Sequence, residues 1–106
     1  MPKVKAIPMA KLAERVAAVL KADLKSAGFP VIAIETEPLK GTKVFRVTLI
    51  AKGFEKIWLT ERQDIVWRIL QESFTKEERF RISMVVTLAP TEAVAVRSRR
   101  LSKLAS

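Results

Sequence analysis

The chain has 106 residues, of which 49% are hydrophobic and 29% are charged, and this composition indicates one globular domain rather than a disordered, fibrous or low-complexity segment. It contains no cysteine and no histidine, which excludes disulfide bonds, thiol chemistry and imidazole chemistry. Twenty Lys and Arg against eleven Asp and Glu give a net charge of +9, which favours an anionic partner, although a charged surface that serves only solubility is an equal alternative.

Residues 1–8 form an amino-terminal extension that is not expected to be a signal peptide. Lys3 and Lys5 lie in it, and Pro8 and Lys11 follow before an apolar run can form. No segment approaches the roughly 18 consecutive apolar residues of a membrane span. Together with the absence of cysteine, these features predict a cytoplasmic protein that does not bind membranes.

The first predicted element is an amphipathic helix over residues 9–27. Its apolar residues recur at helical spacing, and Gly28 supplies a stop at the carboxyl end. At about 100° per residue, the opposite face collects cations, with Glu14 as the one acidic residue among them. This basic face is a candidate nucleic-acid-binding surface, formed by Lys11, Arg15, Lys21 and Lys25.

Two strands follow, and the connection between them is short enough for a hairpin. They are predicted over residues 31–37 and 43–51 from their β-branched and alternating residues. In the second strand, apolar residues alternate with Arg46 and Thr48, which is the pattern of a sheet covered on one side only. Arg46 is therefore expected on a sheet face that is open to water.

A second helix comes next, and its start is predicted from a capping-box pattern formed by Thr60 and Gln63. Its buried side is assigned to Ile65, Val66, Ile69, Leu70 and Phe74. A polar turn over residues 75–78 then leads to a last strand over residues 80–88, where the core is expected to end. The inward side chains of that strand are assigned to Ile82, Met84, Val86 and Leu88, and the outward ones to Arg81, Ser83, Val85 and Thr87.

The predicted fold is α+β, an α-β-β-α-β two-layer sandwich with a three-stranded mixed sheet and both long helices on one face. The domain is assigned to residues 9–92, and residues 93–106 to a basic tail. No acidic residue offsets the tail cations, which are Arg97, Arg99, Arg100 and Lys103. Runs of like charge often serve as nucleic-acid-binding arms, so these cations are candidate binding residues, although solvated charge is the commoner fate.

Catalysis is not expected. General acid–base chemistry near neutral pH usually needs a histidine or a perturbed carboxylate. Glu61 and Asp64 lie in the first turn of the second helix, where carboxylates complement the helix dipole, and this structural role is enough to explain them. Ser73, Ser83 and Thr87 have no candidate base nearby in the predicted fold, so no activated nucleophile is visible.

Two segments resemble the signature of BolA-like proteins. The first covers residues 54–67 and is similar to the family's Phe-x-Gly-Lys run followed by Arg-His-Arg-x-Val-Tyr; its outright matches are Phe54, Arg62 and Val66. Trp67 replaces the tyrosine, and Gln63 stands in place of the histidine. The second segment covers residues 80–92 and is similar to the family's last strand and its Thr-Pro-x-Glu ending. The resemblance implies the α-β-β-α-β order that the periodicity predicts.

BolA-like proteins share an iron–sulfur cluster with a glutaredoxin, through one carboxyl-terminal histidine and a second histidine or cysteine. Arg81 falls on the position of that histidine, and a guanidinium has no lone pair to offer a metal. Soft and borderline metals need thiolate or imidazole ligands, and this chain has neither. The sequence therefore excludes cluster coordination by these side chains and predicts no metal and no cofactor.

The resemblance implies a non-enzymatic regulatory protein, and the family's roles in stress response, cell morphology and transcription are the corresponding expectations. One mode of action is binding to DNA or RNA through the basic surface, with Arg46 and Arg81 as further candidates. The fold is also similar to the type II KH fold, which clamps nucleic acid with a Gly-x-x-Gly loop. Gly28, Gly41 and Gly53 are nowhere three residues apart, so binding here must use charge instead.

The other mode of action is that of a protein–protein adaptor whose partner docks on the second helix and last strand. Its candidate residues are Arg62, Gln63, Trp67 and Arg81. Arg62 opposes the helix dipole, so it is expected either to pair with Glu61, Asp64 or a carboxylate of the hairpin, or to face outward beside Gln63. Trp58 and Trp67 are expected in core or rim packing, with an interface hot spot as the alternative.

Overall fold

A computed structural model describes residues 8–95 of the chain. Its elements run in the predicted α-β-β-α-β order, with a short additional helix before the last strand. They are α1 (Met9–Ser26), β1 (Val31–Pro38), β2 (Phe45–Ala51), a 3₁₀ turn (Phe54–Lys56), α2 (Leu59–Ser73), α3 (Lys76–Phe80) and β3 (Ile82–Leu88). A further helix begins at residue 90. None of the helices within residues 8–95 has the length and apolar character needed to cross a membrane.

The helix α1 buries the stripe that its periodicity predicts. Leu12, Val16, Leu20 and Leu24 lie in the core, and the helix stops where Gly28 adopts a φ of 95°. A positive φ at the end of a helix favours glycine because a Cβ would be strained there. The basic face is thereby turned away from the protein.

The sheet has the strand order β1-β2-β3, with β1 antiparallel and β3 parallel to β2. The inward residues of β2, among them Phe45 and Val47, join residues of both α1 and α2 in one hydrophobic cluster. Both long helices therefore pack on the same face of a mixed sheet. This arrangement confirms the predicted fold class.

The predicted register of β3 is wrong by one residue. Phe45 pairs with Ile82 but Arg46 pairs with Met84, so Ser83 is an extra residue in β3. The Ser83 hydroxyl donates a hydrogen bond to the Phe45 carbonyl at 3.1 Å. A bulge of this kind inverts the alternation that follows it. Met84 is consequently 51% exposed, whereas the outward-assigned pair Val85 and Thr87 is buried.

The boundaries of the last strand and of the second helix also differ from the sequence prediction. The last strand begins at Ile82 rather than at Phe80, because residues 76–80 form α3. The capping box belongs to α3 and not to α2: the Glu78 amide donates to Thr75 Oγ1 at 3.2 Å, and the Thr75 amide donates to Glu78 Oε1 at 2.8 Å. Helix α2 starts earlier than the sequence pattern predicts, with Trp58 at its N-cap and no side-chain cap.

The core continues beyond Leu88, where it was predicted to end. Ala89 and Ala93 are both buried, and the Ala93 amide donates to the Ala89 carbonyl at 3.0 Å. Pro90 opens this last helix, a position where its missing N–H costs nothing. The chain after β3 is thus packed against the domain up to at least Ala93.

Candidate binding surfaces

Arg62 lies in the interior, 5% exposed, and is held by the end of β3 and the turn after it. Its Nη1 atom donates to Glu92 Oε1 at 2.7 Å and to the Thr87 carbonyl at 3.3 Å. Both predicted alternatives for Arg62 are wrong, because it neither faces outward nor pairs with Glu61, Asp64 or the hairpin. The buried position removes it from the surface that a partner would contact.

Glu92 is the residue that sequence reasoning missed. The same oxygen, Oε1, also accepts the Ala89 backbone N–H at 2.7 Å, so one carboxylate caps the last helix and neutralises Arg62. The Ala89 amide, and then the Arg62 guanidinium, lower the pKa of Glu92 below its ordinary value of 4.5. A signal was present: an arginine at a helix start needs a carboxylate, and the second resembling segment ends in one.

Gln63, in place of the family's histidine, uses both ends of its amide, one to join α2 to β3 and the other to bond Trp67 within α2. Its Nε2 atom donates to the Val85 carbonyl at 2.8 Å, and its Oε1 atom accepts the indole N–H of Trp67 at 3.1 Å. Trp67 itself is half-buried against the core. Two carbonyl groups of β3, those of Val85 and Thr87, are therefore engaged by side chains of α2.

The predicted cations differ in whether a carboxylate or carbonyl of the protein already binds them. Arg15 pairs with Glu78 at 2.9 Å, and Arg46 pairs with Glu37 on the neighbouring strand. Arg81 lies at the C-cap of α3 rather than within β3, and its Nε atom donates to the Lys43 carbonyl at 3.2 Å.

The lysines of α1 are uncompensated. The ion pairs found within residues 8–95 involve none of Lys11, Lys21 and Lys25, and all three side chains are exposed. The predicted tail cations, Arg97, Arg99, Arg100 and Lys103, lie outside the described residues. The outer face of α1 thus carries three exposed lysines without an ion pair in the part of the chain that the structure describes, with Glu14 as the one acidic residue among them.

Two large aromatic side chains are exposed. Trp58 is 78% exposed, with exposed Leu59 beside it, so the predicted core or rim packing is wrong for this tryptophan. Phe80 is 72% exposed on α3 and borders a pocket of about 360 Å³. The pocket is lined by Trp67, Lys76, Arg79, Phe80 and Ile82. Sequence reasoning missed this pocket because it placed Phe80 in a strand.

Among residues 8–95, no group of three or more metal-ligating side chains comes together. The two positions of the family's ligand pattern carry Gln63, whose amide is bonded to Val85 and Trp67, and Arg81, a cation. The donor set of this region therefore does not fit an iron–sulfur cluster.

No family model and no curated protein matches the sequence. Among solved structures, the chain is similar to BolA1 from Arabidopsis thaliana, with a TM-score of 0.54 and 23% sequence identity over 76% of this chain and 94% of that one. The chain therefore has a BolA-like fold, as the two resembling segments predicted.

Proposed function

We propose that this chain is a non-enzymatic regulatory module that binds DNA or RNA through a basic surface and ligates no iron–sulfur cluster. The observation that carries the proposal is the outer face of α1, where Lys11, Lys21 and Lys25 are exposed and lack a carboxylate partner among the described residues. Uncompensated cations on a rigid element attract phosphates at long range and release counterions on contact.

The dimensions of this face suit a phosphate backbone. Lys11 and Lys25 are about 21 Å apart along the helix axis at 1.5 Å per residue. Phosphates of one DNA strand follow each other every 3.4 Å or so along the duplex axis and wind around it, so a straight face of this length can contact some, though not all, of the phosphates within its span. Ala18 and Ala22 lie exposed between the lysines, and their short side chains leave room for close approach. The tail cations extend the positive charge in the sequence.

A titration with salt tests the proposal. Full-length protein is titrated with a DNA duplex and with an RNA strand between low and physiological salt, beside a variant with Lys11, Lys21 and Lys25 changed to Gln and a variant lacking residues 97–106. If the four tail cations all meet phosphates, they contribute a slope of log K against log salt of about −3 to −4, at roughly 0.7–0.9 per contact. Each variant should weaken binding and flatten the slope.

The matched control changes Lys40, Lys52 and Lys56 to Gln, because these lysines are also exposed but lie outside α1. It removes the same charge and should change the affinity and slope less. Equal effects of the two triple variants would mean that net charge alone attracts the nucleic acid. Absence of binding at low salt, or affinities that do not respond to salt, would contradict the proposal.

An adaptor function is the second candidate, and Trp58 is the observation that favours it. A tryptophan exposed to 78%, beside exposed Leu59 at the start of α2, matches the side chains that anchor protein interfaces. Arg62 and Gln63 would then orient α2 from within rather than meet the partner. Trp58→Ala should abolish capture of a protein partner while leaving salt-dependent nucleic-acid binding unchanged. If the variant instead keeps the partner and loses nucleic-acid binding, the adaptor function is contradicted.

A further inference from the structure

We infer that the pocket beside α3 is a stacking site for an unpaired base of a single-stranded nucleic acid. This inference rests on the proposed function, because it names which form of nucleic acid is bound and where its bases lie. The pocket measures about 360 Å³, within the usual range for ligand sites, and the ring of Phe80 forms one exposed wall. Aromatic rings accept bases of any sequence by stacking.

The ring is presented by a helix that is fixed at three points. The capping box of Thr75 and Glu78 closes its first turn, and Glu78 also pairs with Arg15 of α1 at 2.9 Å. The guanidinium of Arg79 donates to the Phe74 carbonyl at 2.6 Å and so stays at the pocket wall. The backbone that carries Phe80 is therefore held in place while the side chain faces water, so a ligand that stacks on the ring has to order the side-chain torsions of Phe80 and not the helix.

The charge around the ring favours a nucleic acid over an apolar peptide. Two of the five residues that line the pocket are cations, Lys76 and Arg79, and none is acidic. The ammonium of Lys76 lies 5.9 Å from the centroid of the Phe80 ring. A base stacked at this ring would have its flanking phosphates beside both cations, which combines the two contacts used by single-strand binders.

The pocket is also within reach of the basic face of α1. At about 100° per residue, Glu78 projects from the side of α3 opposite to Lys76 and Phe80. Glu78 contacts α1 through Arg15, which belongs to the basic face, so Arg15 and the pocket lie on either side of one short helix, about 10–12 Å thick. In the proposed complex, a single strand with a base in the pocket continues across α3 towards α1.

The experiment compares a thymidine oligonucleotide with an abasic oligonucleotide of the same length, which carries the same phosphates but no bases. Full-length protein should bind the thymidine strand more tightly by about 5- to 150-fold, the effect of one stacked base. Phe80→Leu keeps an apolar side chain but removes the ring, and it should bind both strands equally. Phe80→Tyr keeps the ring and should retain the preference.

Trp58→Leu is the matched control, because it removes the other exposed aromatic ring and should leave the preference intact. In a Trp58→Phe background, the fluorescence of Trp67 should change with the thymidine strand and not with the abasic strand. Phe80 is so exposed that its replacement should leave the thermal unfolding midpoint unchanged.

The outcomes separate the two proposals. If full-length protein binds both strands with equal affinity, the stacking site is refuted while phosphate binding through α1 stands. A preference that survives Phe80→Leu, or that is lost in Trp58→Leu, also refutes the site. If neither strand binds at low salt, both proposals fail, and selective binding of an aromatic or acidic peptide that Phe80→Leu abolishes would assign the pocket to a protein partner.

Discussion

At the scale of single residues, the two partners of the ion pair between Arg62 and Glu92 differ in burial. The guanidinium is buried, whereas the carboxylate side chain is 45% exposed. An ionised group in the interior is tolerated when it is paired and becomes costly when its partner is removed. The Nε atom of Arg62 is buried and has no hydrogen-bond partner within the described part of the chain, which makes the Glu92 contact more important for this side chain.

Glu92→Ala should lower the free energy of unfolding by about 1–3 kcal/mol, because it leaves Arg62 unpaired and the Ala89 amide without its acceptor. Glu92 is partly exposed, so the loss should be smaller than for a fully buried ion pair. Glu92→Gln retains an acceptor and should lose less. Urea unfolding measures both. Glu61→Ala, at an exposed residue with no ion pair among the described ones, is the control and should lose only the helix-dipole contribution, about 0.3–1 kcal/mol. Equal losses for Glu92→Ala and Glu61→Ala would contradict the assigned contact.

The free energy of unfolding should decrease as the pH is lowered. The pKa of Glu92 is lowered by the Ala89 amide and by Arg62, and the pKa of Glu78 is lowered by the Thr75 amide and by Arg15. A folded-state pKa below the unfolded value stabilises the protein above the ordinary value of 4.5 and loses that contribution as pH falls through the folded-state pKa. The stability difference between the wild type and Glu92→Gln, measured in urea from pH 7 to pH 3, should therefore shrink with acid. A constant difference would show that the charge of Glu92 is not responsible.

Thr87→Val should leave stability unchanged or raise it by up to about 1 kcal/mol, because a buried hydroxyl without a partner gains nothing for its desolvation. Thr87 Oγ1 is buried and has no hydrogen-bond partner among residues 8–95. The backbone carbonyl that accepts from Arg62 is kept in the variant. Thermal and urea unfolding measure the effect, and a clear destabilisation would show that the hydroxyl is bonded in solution.

At the scale of elements, hydrophobic periodicity was enough to predict the features of the fold that repeat regularly along the sequence. The stripe of α1, the alternation of β2 and the order of elements follow from spacing alone. The register of β3 does not, because the extra residue Ser83 is defined by its pairing with β2 and leaves no mark in the apolar pattern. The α1 lysines of the candidate surface were predictable for the same reason, whereas Phe80 and its pocket depend on α3, whose capping box was overlooked.

Gly53→Ala should destabilise the junction between β2 and the 3₁₀ turn more than Gly41→Ala destabilises the hairpin. Both glycines have positive φ, 93° and 78°, so both variants lose about 1 kcal/mol or more from backbone strain. Only at Gly53 would the new Cβ also meet a neighbour, with Phe29 Cδ1 at 3.0 Å, whereas nothing lies within 4 Å at Gly41. Thermal unfolding of the two variants isolates this steric difference, and identical midpoints would show that the Phe29 ring moves aside.

At the scale of the whole molecule, none of the 106 residues is a histidine or a cysteine, so the chain has no imidazole or thiolate ligand for an iron–sulfur cluster. The protein should be colourless, and mixing it with a monothiol glutaredoxin that carries a cluster should give the visible absorption spectrum of the glutaredoxin alone. A new band that depends on this protein and disappears in Arg81→Ala or Gln63→Ala would contradict the prediction.

The bonds from α2 to β3 have a consequence for self-association. Among the described residues, β3 is an edge strand of the sheet. An edge strand can pair with a strand of a second molecule and so start aggregation. Gln63 and Arg62 already hold the carbonyls of Val85 and Thr87, so an incoming strand must first displace both side chains. We therefore expect Gln63, which stands in the histidine position of the family pattern, to hinder the pairing of β3 with a strand of a second molecule.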